Sequence, residues 1–172
     1  MPYIGFKLSN AKRIFLALSI IVPFLFYCLY YYGMVLKNAP YKFTEFDSIV
    51  FQYGDRDSLL NKFNSKTGDY QYVNMHDSVV KMHLRLNEKD LLYLHRKAAD
   101  LGFWDFPADE SGDTVKSGQK PLRYIIEFKY KRKSKKVVYD ENFVGDPRLV
   151  DANQRLIKEI KQVLTDEEAS QK

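Results

Sequence analysis

The chain has 172 residues, with 27 Lys and Arg against 22 Asp and Glu, a formal charge of +5 and one cysteine. Lys7, Lys12, Arg13 and Lys37 precede Tyr41, no acidic residue occurs before Glu45, and the remainder is close to neutral; this distribution argues against a nucleic-acid-binding domain, whose basic residues would gather on the folded part. A single cysteine excludes an intramolecular disulfide, and the roughly 130 residues after the N-terminal segment suit one hydrophobic core.

Residues 14–36, IFLALSIIVPFLFYCLYYYGMVL, form a 23-residue run without a charge between Lys12-Arg13 and Lys37. As a helix rising about 1.5 Å per residue, the run reaches about 34 Å and can cross a hydrocarbon core of about 30 Å. Ile14, Leu16, Ile20, Pro23, Phe26, Leu29 and Leu36 are expected to span the bilayer, with membrane lipid as their partner. Tyr27, Tyr30, Tyr31 and Tyr32 suit the headgroup layer, and a mid-span proline is tolerated where neighbouring groups satisfy the freed carbonyl. A cleaved signal peptide needs a shorter apolar core, about 7–15 residues, and a small-x-small site; Tyr31 and Lys37 spoil the pairs that Gly33 and Ala39 would complete. Cys28 follows a bulky Tyr27, unlike a lipobox cysteine, and reads as a small apolar side chain. Lys7, Lys12 and Arg13 before the span outweigh Lys37 and Lys42 after it, which predicts a single-pass inner-membrane protein with a cytoplasmic N-terminus and an exported C-terminal domain. The expected organisation is a basic tail over 1–13, a transmembrane helix over 14–36, a linker over 37–43, a globular domain over 44–165 and a polar tail over 166–172.

Within the domain, residues 46–53 (FDSIVFQY) and 70–75 (YQYVNM) are rich in β-branched and aromatic side chains and predict strands. The stretch between them, 54–66 (GDRDSLLNKFNSK), reads as a polar connection. Over 78–86 (SVVKMHLRL), Val80, Met82, Leu84 and Leu86 alternate with Val79, Lys81, His83 and Arg85, the pattern of a strand with one wet face. Asn87 is placed as an N-cap, with Glu88 and Asp90 in the first turn of a helix that carries Leu91, Leu94, Ala98 and Leu101 inward. Gly102 predicts a left-handed C-cap, with Phe103-Trp104 folding back over the helix end. A loop over 105–121 leads to a second alternating strand, 122–130 (LRYIIEFKY), a hairpin tip over 131–135 and a returning strand from Val137. Asp146-Pro147 is an N-cap followed by proline at the first helical position, opening a helix over 147–164.

The predicted fold class is α+β: an N-terminal transmembrane helix, then an antiparallel sheet in the order β-β-β-α-β-β-α with two helices on one face. The opposite face, with Lys81, Arg85, Arg123, Glu127 and Lys129, is left to water or a partner. The succession of a strand, NEKDLLYLHRKAADLGFWDFP, a strand hairpin and DPRLVDANQRLIKEI resembles small exported or membrane-anchored bacterial domains of uncharacterised function. The resemblance implies a cell-envelope location and supplies no active residue.

Candidate chemistry is sparse. His76, His83 and His95 show no HExxH arrangement and no cysteine partner, so they read as structural or surface histidines. Asp105, Asp109, Glu110 and Asp113 lack the ligand order of an EF-hand and read as a solvated acidic loop. There is no G-x-S-x-G, no S-x-x-K and no glycine-rich phosphate loop, and Asp140 and Glu141, adjacent on a strand, point to opposite faces. No catalytic residue, metal or cofactor is expected. The basic run of Lys129, Lys131, Arg132, Lys133, Lys135 and Lys136 is the most individual surface feature; it reads foremost as a solvated tip that discourages edge-to-edge aggregation. The sequence therefore points to a membrane-anchored envelope protein with a non-catalytic domain that contacts an envelope protein or peptide. One alternative is a cytoplasm-facing domain whose basic hairpin contacts anionic lipid or nucleic acid; another is an envelope hydrolase with an unrecognised site.

Overall fold

A computed structural model of the protein describes residues 10–38, 41–112 and 121–171. The chain divides into two units, 1–39 and 40–172. The first contains α1 (Asn10–Asn38), with Pro23 inside it. Its segment Asn10–Met34 has a mean hydropathy of 2.2 and none of it is buried. Ile14, Leu16, Ile20, Phe26 and Leu29 are all more than half exposed, and Leu36 lies on the same helix. The helix is long and apolar enough to span a membrane.

The second unit is α+β. Its strands are β1 (Phe46–Asp55), β2 (Ser58–Asn64), β3 (Asp69–Val73), β4 (Val79–His83), β5 (Asp109–Glu110), β6 (Leu122–Tyr130) and β7 (Ser134–Asp140); α2 (Glu88–Asp100) follows β4 and α3 (Pro147–Ser170) closes the domain. They form one seven-stranded sheet in the order β4-β3-β2-β1-β6-β7-β5. All pairings are antiparallel except that of β5 with β7.

This order corrects the predicted one at two places. Residues 54–66 are not a polar connection: β1 continues through Gly54 to Asp55, turns at Arg56-Asp57 and returns as β2. Cross-strand pairing overrides the polarity of the segment, because Phe63 buries its ring opposite Phe51. Asn61 also meets the backbone of both neighbouring strands, donating to Tyr53 O and accepting from Val73 N. Gly54 sits where the register shifts; a Cβ there would lie 2.3 Å from Ser58 O, so only glycine permits the approach. The second correction is β5, a parallel strand within the span read as loop.

Register explains the two faces. Met82, Tyr70, Phe63, Phe51, Ile126 and Val137 form one cross-strand row, and Val80, Tyr72, Asn61, Tyr53, Tyr124 and Tyr139 the next. Most of these side chains belong to a single core with Leu94 and Ala98 of α2 and Leu156, Ile157, Ile160 and Leu164 of α3. Both helices meet this face: His95 of α2 hydrogen-bonds Tyr130, and Glu168 of α3 accepts from Tyr72.

Local signals fix the helices. Asn87 and Asp90 form a reciprocal capping box on α2. Gly102 closes that helix at φ +76°, and Phe103 is fully buried behind it. Asp146 caps α3 by accepting from Arg148 N, with Pro147 in its first turn. The closing helix, read to Leu164, extends to Ser170 because its final turns are held from outside: Asn87 donates to Glu167 and Gln171 donates to Arg85 O.

Candidate interaction surface

The face away from the helices is polar by register. Lys81, Gln71, Lys62, Gln52, Ile125 and Val138 lie in one cross-strand row; His83, Asp69, Asn64, Val50, Glu127 and Lys136 lie in the adjacent one. Between β1 and β4 this face carries a groove of about 400 Å³ lined by residues including Gln52, Lys62, Asn64, Asp69, Gln71 and Lys81. It mixes two ammonium groups, one carboxylate and three amides, and so offers hydrogen bonds of both senses without a dominant charge.

β4 is the free edge beside that groove. In an antiparallel ladder, alternate residues bond the partner strand while the others turn their N–H and C=O groups outward. Leu84 N donates to Gly68 O and Asn74 N donates to Ser78 O, which sets the phase: Val80 and Met82 bond β3, and Val79, Lys81 and His83 turn backbone groups outward that find no strand partner among the described residues. Val79 is 47% exposed. The other edge, β5, is only two residues long, and its Glu110 is fully buried. Of the two edges, only β4 has the length to accept another strand.

The outward residues named from the sequence fare differently. Lys81, Arg85 and His83 are exposed, and Lys129 pairs with Glu127 at 3.5 Å. Arg123 is not open to a partner. Its Nε and Nη2 grip Asp140 at 2.7 and 2.8 Å, and Asp140 is fully buried. Gly112 N also donates to Asp140 at 3.2 Å, and Arg56 lies 3.8 Å away. The Asp140 carboxylate holds the Arg123 guanidinium charged even more firmly than usual. The strand alternation placed Arg123 on the wet face correctly, but nothing local marked the partner at its cross-strand position.

The basic run is largely engaged by the protein itself. Arg132 forms a two-pronged pair with Glu45 at 2.7 and 2.6 Å, a contact that holds the Glu45 carboxyl below its ordinary range. Lys133 lies 5.0 Å above the Tyr41 ring, Lys135 donates to Phe106 O, and Lys136 is paired across the ladder with Glu127. Lys131 remains exposed at the tip.

The three histidines do not assemble. His76 occupies the turn before β4, His83 lies on the outer face, and His95 is buried on the inner one. His95 Nδ1 is 2.8 Å from the Tyr130 hydroxyl, and its ring is packed among Phe43, Phe46 and Trp104. Burial, with a smaller contribution from Arg96, pushes the imidazole below its ordinary value. The acidic loop is also divided. Asp109 bonds Ser111, Glu110 turns inward to accept from Asn153 of α3, and Asp113 lies outside the described residues. Glu110 is thus a correction to the solvated reading: the parallel β5–β7 pairing carries it beneath α3, and burial raises its carboxyl above the ordinary value. Among the described residues, no group of three or more His, Cys, Asp and Glu is placed to hold a metal ion.

Fold and surface together define an α+β domain with one helix-covered sheet face, one wet face and one free edge. No family model, curated protein or solved structure matches the chain.

Proposed function

We propose that this is a single-pass protein of the bacterial envelope, anchored in the inner membrane by α1, whose exported domain is a non-catalytic module that takes up an extended peptide segment by strand addition at β4. The observation that carries this reading is the free backbone of Val79, Lys81 and His83 beside a groove rich in amides and charges. Strand addition uses main-chain hydrogen bonds for affinity and side-chain pockets for selectivity, and the β4 edge with its flanking groove offers both. The excess of basic residues before the apolar run 14–36 supports export of the domain. The engagement of Arg132, Lys133 and Lys135 within the protein favours this reading over lipid or nucleic-acid contact by the hairpin.

Two measurements test it. A C-terminal reporter active only outside the cytoplasm should be active; a cytoplasmic C-terminus refutes export. A photo-crosslinker at position 79 should capture a partner in cells, and Lys81→Pro should abolish capture. That proline removes an outward N–H while sparing the ladder to β3. Undiminished capture by Lys81→Pro, with the fold intact, refutes strand addition.

A further inference from the structure

A second groove, of about 370 Å³, lies between α3 and the inner face of the sheet; its walls include Tyr124, Tyr139, Ile157, Lys158 and Lys161, with Glu141 at the rim. Lys161 is one of its lining residues. The ammonium group stands 4.3 Å from the Tyr53 ring centroid and 4.9 Å from that of Tyr124. It donates one long hydrogen bond, 3.4 Å, to the Tyr124 hydroxyl. Among the described residues no carboxylate lies within ion-pair distance of it. Burial pushes Lys161 below the ordinary lysine value, against a smaller opposing pull from Glu141. Half-buried ammonium groups ordinarily gain a counter-anion, and this one has only ring faces and a phenol.

We propose that this groove binds a small monoanionic carboxylate with an apolar body, its carboxylate seated between the Lys161 ammonium and the Tyr124 hydroxyl. The charge count selects the class. Lys161 and Lys158 against the single Glu141 leave the groove one uncompensated positive charge, which one carboxylate neutralises. The Tyr124 hydroxyl accepts from Lys161 and keeps its own proton free for a ligand oxygen; burial raises its pKa and keeps it a neutral donor. The Tyr124 and Tyr139 rings and Ile157 supply the apolar wall. This site lies on the opposite face of the sheet from the groove beside β4 and does not depend on strand addition there.

The test uses the full chain in detergent micelles, with lysine labelled at ¹³Cε and benzoate as the probe. Titration should give a saturable shift of the Lys161 resonance, and the Lys161 pKa should rise on binding because an opposite charge favours the ammonium form. Lys161→Met, which keeps the aliphatic stem, should weaken benzoate binding at least about tenfold, as expected for the loss of a charge-assisted hydrogen bond. Glu141→Gln, on the exposed rim, should tighten it, and wild-type affinity should fall as pH rises through the Lys161 titration. An unmoved Lys161 resonance overturns the proposal, as does equal binding by folded Lys161→Met. Should Lys161→Met fail to fold, a Glu141→Gln affinity no tighter than wild type overturns it equally. Inorganic phosphate that shifts the same resonance as strongly as benzoate refutes the monoanion selectivity.

Discussion

Replacing Asp140 by asparagine isolates the charge of the most deeply buried ion pair among the described residues while keeping its volume. Asp140 is fully buried and receives two hydrogen bonds from Arg123, which keeps 20% side-chain exposure, and one from Gly112 N. Asparagine offers one carbonyl oxygen where the carboxylate offered two, and its amide hydrogens face guanidinium hydrogens. Breaking a buried pair from one side costs about 3–5 kcal/mol; water reaching the exposed fifth of Arg123 reduces this to about 2–3 kcal/mol. For a domain of this size, with about 3–4 °C per kcal/mol, the melting temperature should fall by about 6–12 °C. Thermal melts of the full chain at pH 7, followed through the fluorescence of Trp104, the single tryptophan, provide the assay. The Arg123→Met, Asp140→Leu double variant should regain more than half of the loss, because an apolar pair of similar volume removes the stranded charge. A single Asp140→Asn variant melting within about 2 °C of wild type would refute the reasoning, since the pair would then contribute no more than an exposed one.

Three further expectations follow from buried groups and backbone geometry. Glu110 Oε1 and Asn153 Oδ1 are both buried without a partner, and a raised carboxyl pKa means stability that is full below 4.5 and lost as pH rises through the folded value. Glu110→Gln, whose amide can serve Asn153, should therefore stabilise the protein at pH 7 by about 1 kcal/mol in chemical denaturation, and its advantage should shrink toward pH 5. His95 has the opposite dependence: its folded pKa lies below the ordinary 6.5, so the unfolded chain takes up the proton first and wild type loses stability as pH falls below that value. Melting curves of His95→Gln relative to wild type should accordingly improve from pH 7 to pH 5. Gly102 is left-handed with open space around its α-carbon, so Gly102→Ala should cost about 1–2 kcal/mol from backbone strain alone; Gly102→Asn should cost measurably less.

Legibility from the sequence divided along physical lines. Signals contained within a few residues were readable: the apolar length of α1, the Asn87 N-cap, Gly102, Asp146-Pro147, and the alternation of β4 and β6. Features set by distant partners were not. β2 has a polar composition and becomes a strand because β1 and β3 flank it, and β5 exists because β7 offers it a parallel edge. Arg123 and Asp140 are 17 residues apart, and only the hairpin register brings them together. Lys161 did leave a trace: it sits between Ile157 and Leu164 on the buried side of α3, where a charge interrupts an apolar stripe. Polar residues in such positions mark places where the inward face meets something other than hydrocarbon.

The central position of β1 has a consequence for how the protein is made. Its partners are β2, which follows after a two-residue turn, and β6, which begins at Leu122. During synthesis at about 5–20 residues per second, the roughly 70 residues between β1 and β6 take about 4–14 s to appear. Throughout that interval β1 lacks β6, and its nine-position ladder stays unpaired along one side. Of the two helices that shield the inner face of the sheet, α2 is complete by Asp100, but α3 appears only after β6 and β7. Folding of the domain is therefore timed by the emergence of its C-terminal half rather than by its own early hairpins.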